Sequence, residues 1–137
     1  MAGTQVRVLT VVGAGIMGRG IALASARAGY ETRVIEPSAR AIESARTELS
    51  KILERAREKG EIQAPDADAA MKRLSWSEAL DEAKGSDLVI EAVPESVALK
   101  AELYAKLAPI IPREAILATN TSGLSITELA ATSDRAT

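Results

Sequence analysis

The sequence predicts a doubly wound α/β domain built on a mainly parallel sheet, with a helical hairpin inserted after the second strand. Three observations predict it. A β-branched apolar run over residues 6–12 stops at Gly13 and passes into a segment with helical apolar spacing at Ile16, Met17, Ile21 and Leu23. Strand-like and helix-like segments then alternate along the chain, a pattern that packs as parallel strands joined by right-handed crossovers. The charged stretch after the second strand carries only a narrow apolar stripe, which suits a helix paired with another helix better than one lying flat on a sheet.

In order, residues 6–12 form the first strand, apolar almost throughout as a central parallel strand must be. The first helix covers 15–28 and ends at Gly29, a residue suited to a left-handed cap. The second strand, 32–35, leads to Pro37 and Ser38, which start a long helix running to Lys59 and stopped by Gly60. Its apolar positions are Ile42, Ala45, Leu49, Ile52 and Ala56, and residues 65–72 return as the second arm of the hairpin. Residues 74–76 make a short third strand, 78–83 a short helix closed by Gly85, and 87–93 a fourth strand ending in Pro94 and Glu95. A helix over 97–108 follows. Pro109 and Pro112 bracket a connection to a fifth strand at 115–118. Ser125, Ile126, Thr127 and Glu128 make a capping box for a last helix.

At 137 residues the chain accommodates one domain with a real core, and is too short for a nucleotide-binding domain plus a separate substrate domain. A net charge of −2 gives no electrostatic attraction toward nucleic acid or an anionic membrane, so neither is expected as a partner. The chain has no cysteine, hence no disulfide framework, thiolate nucleophile or cysteine metal site. It has no histidine, which removes the usual general base and the commonest metal ligand, and no metal is expected. No apolar run reaches membrane-spanning length and the N-terminus lacks the features of a signal peptide, so the cytoplasm is the expected compartment.

Gly13, Gly15 and Gly18 stand at the offsets G-x-G-x-x-G between a strand and a helix. Such a turn needs its glycines for separate reasons: one to turn tightly, one to let bare backbone approach a pyrophosphate, one to let the helix lie close. The phosphates then meet unpaired N–H groups at the positive end of the helix. Glu36, eighteen positions after Gly18, ends the second strand where a Rossmann-type fold places the carboxylate that holds the adenosine ribose. A carboxylate there repels a 2′-phosphate, and no arginine immediately follows it, so NAD is expected over NADP. Glu95 after the fourth strand, and Asn120 and Ser122 after the fifth, should converge with Glu36 on one crevice beyond the carboxyl ends of the strands.

Three stretches together resemble the NAD-binding domain of the L-3-hydroxyacyl-CoA dehydrogenase family, which includes the 3-hydroxybutyryl-CoA dehydrogenases. They are Gly-Ala-Gly-Ile-Met-Gly-Arg-Gly-Ile-Ala at 13–22, Asp-Leu-Val-Ile-Glu-Ala-Val-Pro-Glu at 87–95 and Asn-Thr-Ser-Gly-Leu-Ser-Ile at 120–126. The first is shared with other β-hydroxyacid dehydrogenases; the other two, and the long hairpin after the second strand, are more specific to this family. The resemblance covers nearly the whole chain.

It implies that Gly13, Ala14, Gly15, Ile16, Met17 and Gly18 line the pyrophosphate turn, and that Glu36, where the family more often has aspartate, holds the adenosine ribose. Glu95 and Lys100 match positions on the nicotinamide half of the cofactor. Ser122 matches the serine that hydrogen-bonds the substrate's C3 oxygen, Asn120 supports the same loop, and Lys59 falls near a coenzyme A phosphate contact. The implied reaction oxidises an L-3-hydroxyacyl-CoA to the 3-ketoacyl-CoA, in fatty-acid β-oxidation or hydroxybutyrate metabolism. In the family a histidine held by a glutamate takes the hydroxyl proton, and a helical C-terminal domain covers the acyl-CoA and forms a dimer. By this resemblance the chain reads as an N-terminal fragment that ends before the sheet's final strand: it should bind NADH without turnover and, with an open sheet edge, self-associate. Two other readings stay open, a relative acting on a free β-hydroxy acid and a stand-alone NAD-binding module.

Overall fold

A computed structural model describes residues 5–119. Five parallel strands, β1 (Val8–Val12), β2 (Glu31–Ile35), β3 (Leu74–Ser77), β4 (Leu88–Glu91) and β5 (Ile116–Thr119), form one sheet in the order β3-β2-β1-β4-β5. Four α-helices connect them: α1 (Ile16–Arg27), α2 (Ala39–Glu58), α3 (Ala64–Arg73) and α4 (Val97–Leu107). The strand order reverses at β1, between β2 and β4, which is the switch point where an open α/β sheet forms its ligand crevice.

The period of two along each strand divides the core between the two faces of the sheet. Leu9, Val11 and Val34 join Ala22, Leu23 and Ala26 of α1 and Ala45, Leu49 and Leu53 of α2 on one side. Val12, Ile35 and Val89 meet Leu107, Ile111 and Ala115 on the other. Helices thus cover both faces, as the doubly wound class requires.

The ends of two strands are set by one carboxylate. Both N–H groups of Arg7 and Val8 donate to Asp87 Oδ2 at 2.9 Å, so β1 begins at Val8 and β4 at Leu88, each later than sequence patterning suggests. β4 also stops early, at Glu91: the Val93 N–H turns back to the side chain of Glu91 instead of continuing the ladder. The short helix expected over 78–83 is a single 3-10 turn, Leu80–Ala83, held to β2 by the Arg33 guanidinium on the carbonyls of Glu82 and Lys84.

The hairpin of α2 and α3 is present, and its helices pack on each other and on α1. Ser38 caps α2 by accepting from the Ala41 N–H. The buried stripe of α2 is Ala45, Leu49, Leu53 and Ala56, whereas Ile52 is exposed. Contact with α1 as well as α3 rotates the buried stripe by one residue at that turn. The predicted last helix, starting at Ser125, lies outside the described residues.

Candidate functional site

The glycine turn follows β1 at the switch point. Gly13 has φ +112°, and a Cβ there would lie 2.5 Å from the carbonyl oxygen of Ala92, the residue after β4. A Cβ on Gly18 would lie 2.0 Å from the carbonyl oxygen of Gly13, so the first turn of α1 rests directly on the turn that precedes it. Gly15 differs: nothing lies within 4 Å of where its Cβ would be. The space in front of Gly15 is open, as a backbone meant to meet a pyrophosphate requires.

α1 starts at Gly15 with no side-chain cap and no acidic residue in its first turn. The N–H groups at that end keep their capacity for an anion, and no carboxylate repels one from the first turn. Ile16 and Met17, 78% and 57% exposed, present apolar surface beside it.

Glu36 reaches this turn. Its Oε1 accepts from the Ala14 N–H at 3.2 Å and its Oε2 from the Ser38 N–H at 2.9 Å. The backbone agrees: the Gly13 N–H donates to the Ile35 carbonyl at 2.8 Å, and the Glu36 N–H to the Ser77 carbonyl at 2.9 Å. Each oxygen of Glu36 keeps a lone pair for a further donor, so the carboxylate is oriented for a pair of hydroxyls. The longer side chain of glutamate, compared with aspartate, spans the gap back to Ala14.

Register places the other strand ends at the same edge. Val12 pairs with Ile35 on one side and Glu91 on the other, and Glu91 pairs with Thr119. Glu36, Gly13, Ala92 and Thr119 therefore line one edge of the sheet. Glu95 lies in the loop after β4, half exposed. Asn120 and Ser122 follow Thr119 in sequence and lie outside the described residues.

One of the sequence expectations changes. Lys100 has no solvent exposure and so is not open to a cofactor; its ammonium is 2.8 Å from both oxygens of Glu91 and 3.5 Å from Glu95. A charge can be buried there because a fully buried carboxylate compensates it. Lys59 is the C-terminal cap of α2, whose N-terminus carries Ser38 beside Glu36. A twenty-residue helix is about 30 Å long, so Lys59 stands that far along α2 from the glycine turn.

Glu91, Tyr104 and Thr119 belong to the same corner; Glu91 lies inside the 87–95 stretch, and no motif marks Tyr104 or Thr119. Tyr104 OH donates to Glu91 Oε1 at 3.0 Å and Thr119 Oγ1 to the same oxygen at 2.6 Å. Burial, with the Glu91 charge adding to it, pushes the Tyr104 phenol up to about 12. The available signal in the sequence is an acid inside an apolar strand, Leu-Val-Ile-Glu-Ala-Val, which must find a cation; Lys100 and Tyr104, one helical turn apart on α4, supply the partners.

Residues 8–137 match the family described as 3-hydroxyacyl-CoA dehydrogenase, NAD binding domain. The chain belongs to this family. Among its relatives, a probable 3-hydroxybutyryl-CoA dehydrogenase of Bacillus subtilis is 40% identical over 131 residues, covering 96% of this chain and 46% of the relative. The 3-hydroxybutyryl-CoA dehydrogenase of Mycobacterium tuberculosis is 43% identical over 122 residues, covering 88% of this chain and 43% of the relative. The crystal structure of (S)-3-hydroxybutyryl-CoA dehydrogenase from Ralstonia eutropha superposes with a TM-score of 0.93 at 35% identity, over 96% of this chain and 47% of that one. The chain thus spans less than half the length of these relatives. In this NAD-binding domain the open face at Gly15, the uncapped start of α1 and the carboxylate of Glu36 lie together at the switch point. Among the described residues, no cluster of acidic side chains could hold a metal ion, and no helix is long and apolar enough to cross a membrane.

Proposed function

We propose that this NAD-binding domain serves the interconversion of L-3-hydroxyacyl-CoA and 3-ketoacyl-CoA. The observation that supports the reading is the reach of Glu36 to the Ala14 N–H, a carboxylate within one hydrogen bond of the glycine turn. Bound NAD+ supplies the hydride acceptor. Glu36 takes the adenosine ribose hydroxyls, the amides at Gly15, Ile16, Met17 and Gly18 take the pyrophosphate, and Ile16 and Met17 cover its apolar flank. Glu95 addresses the nicotinamide half, with Lys100 acting behind it. Ser122, supported by Asn120, hydrogen-bonds the substrate's C3 oxygen. Lys59, far from the cofactor turn along α2, is assigned to a coenzyme A phosphate.

The family's resemblance puts the proton acceptor on a histidine, and these 137 residues contain none. The chain should therefore bind NADH without oxidising it in the presence of acetoacetyl-CoA. Homodimerisation of the parent and self-association of this chain are part of the proposal, supported by the half-exposed Ile116 on β5, which among the described strands pairs only with β4. So is a cytoplasmic location. Titration with NADH, followed by fluorescence or calorimetry, tests the reading. Saturable binding of NADH, much weaker binding of NADPH and no turnover are the expected results; no heat or fluorescence change with millimolar NADH on folded protein overturns it.

A further inference from the structure

The carboxylate of Glu91 accepts five hydrogen bonds. Oε1 takes the Lys100 ammonium at 2.8 Å, the Tyr104 hydroxyl at 3.0 Å and the Thr119 hydroxyl at 2.6 Å; Oε2 takes the same ammonium at 2.8 Å and the Val93 N–H at 2.8 Å. A carboxylate has about four lone-pair sites, so Glu91 has nothing left for a ligand. It is also fully buried, as is Lys100. Glu91 can act only through the groups it holds.

Those groups share one location. The Val93 N–H belongs to the loop that leaves β4 toward Glu95, Lys100 lies in the first turn of α4 and is 3.5 Å from Glu95, and Thr119 is the last residue before Asn120. The carboxylate thus ties together the exits of β4 and β5 and the start of α4. An apolar cluster would hold these elements at least as tightly, because a buried ion pair contributes little net stability. What five directed bonds add is direction: they fix the orientation of the Val93 N–H, the Lys100 ammonium and the Tyr104 and Thr119 hydroxyls.

We propose that Glu91 is a positioning residue for the nicotinamide half of the cofactor site, acting through Lys100 on Glu95 and by fixing the end of β5 at Thr119. This inference rests on the NAD reading above, and the glycine turn and Glu36, which hold the adenosine half, lie outside the network. The two halves of the cofactor are therefore separable.

The test compares NADH with ADP-ribose, which has the adenosine half and pyrophosphate but no nicotinamide, in titrations of the unmodified chain, Glu91→Gln, Thr119→Val and Thr119→Ser. Thr119→Val deletes one hydroxyl at nearly constant volume and decides the matter if Glu91→Gln does not fold. The expected result is that Thr119→Val weakens NADH about fivefold or more, the worth of one hydrogen bond, with ADP-ribose held within about twofold. Thr119→Ser keeps the hydroxyl and should restore NADH binding. Equal weakening of both ligands, no weakening of either, or an unmodified chain that binds NADH no more tightly than ADP-ribose overturns the proposal. Failure of the unmodified chain to bind either ligand overturns the NAD reading itself, and this inference with it.

Discussion

Lys100 and Glu91 form an ion pair with no solvent exposure on either side chain, the ammonium 2.8 Å from each carboxylate oxygen. Burying either charge alone would be prohibitive, so each residue is tolerated only because the other is present. Lys100→Met leaves an uncompensated carboxylate in the core and should cost about 3–5 kcal/mol of stability. Adding Glu91→Gln to that variant should recover part of the loss, since the two sites are directly coupled. Urea denaturation of the single and double variants measures both; strict additivity would show that the pair does not interact.

The three glycines of the turn should separate by what they affect. Gly18→Ala and Gly13→Ala place a methyl carbon 2.0 Å and 2.5 Å from backbone carbonyl oxygens, and both should lower the melting temperature substantially. Gly15→Ala meets nothing within 4 Å, and φ at this position is an ordinary −72°. Its methyl should leave the melting temperature nearly unchanged and weaken NADH, because it fills the space the pyrophosphate needs. A Gly15→Ala variant that binds NADH normally would remove the turn from the cofactor site.

Glu36→Gln keeps the shape of the side chain and removes its charge. Hydrogen bonds to a charged group are worth about 1.5–3 kcal/mol, so NADH affinity should fall by roughly tenfold or more. NADPH, no longer repelled at its 2′-phosphate, should bind at least as well as before. The ratio of the two dissociation constants is the quantity to measure, and an unchanged ratio would place the ribose elsewhere.

Asp87 contributes to the acid limb of the stability profile and Tyr104 to the alkaline limb. The Arg7 and Val8 N–H groups on Asp87 hold its carboxyl below the ordinary 3.8. A depressed carboxyl contributes stability that is complete above its unfolded value and is lost as pH falls through the folded one. Asp87→Asn should therefore flatten the decline of the melting temperature below about pH 4. The Tyr104 phenol is raised from 10.0 to about 12, the opposite sign: its contribution is intact below pH 10 and is lost as pH rises through 12. Tyr104→Phe should remove that alkaline component while also losing the bond to Glu91. Melting temperatures across pH 2–12 check both.

The glycine turn and Glu36 were legible because each states a local demand. A φ of +112° beside a neighbouring carbonyl admits only glycine, and an acid at the end of the second strand is set by spacing along the chain. The parallel sheet was legible from the alternation of short apolar runs with helical periods. Strand limits were less so. Residues 6–7 and 87 adjoin apolar strand runs, and the Asp87 carboxylate takes the N–H groups of Arg7 and Val8 at that end.

What the sequence by itself determined is the order of elements, the glycine turn at 13–18 and the acid that ends the second strand at position 36, because backbone geometry and hydrophobic period are written in neighbouring residues. Only the tertiary structure decided that Lys100 turns inward to Glu91, that Thr119 and Tyr104 join them, and that Leu53 rather than Ile52 enters the core. The physical reason is the same in each case. Whether a side chain is buried, and which charge it meets there, depends on which other elements lie against its own, and those elements are distant in sequence.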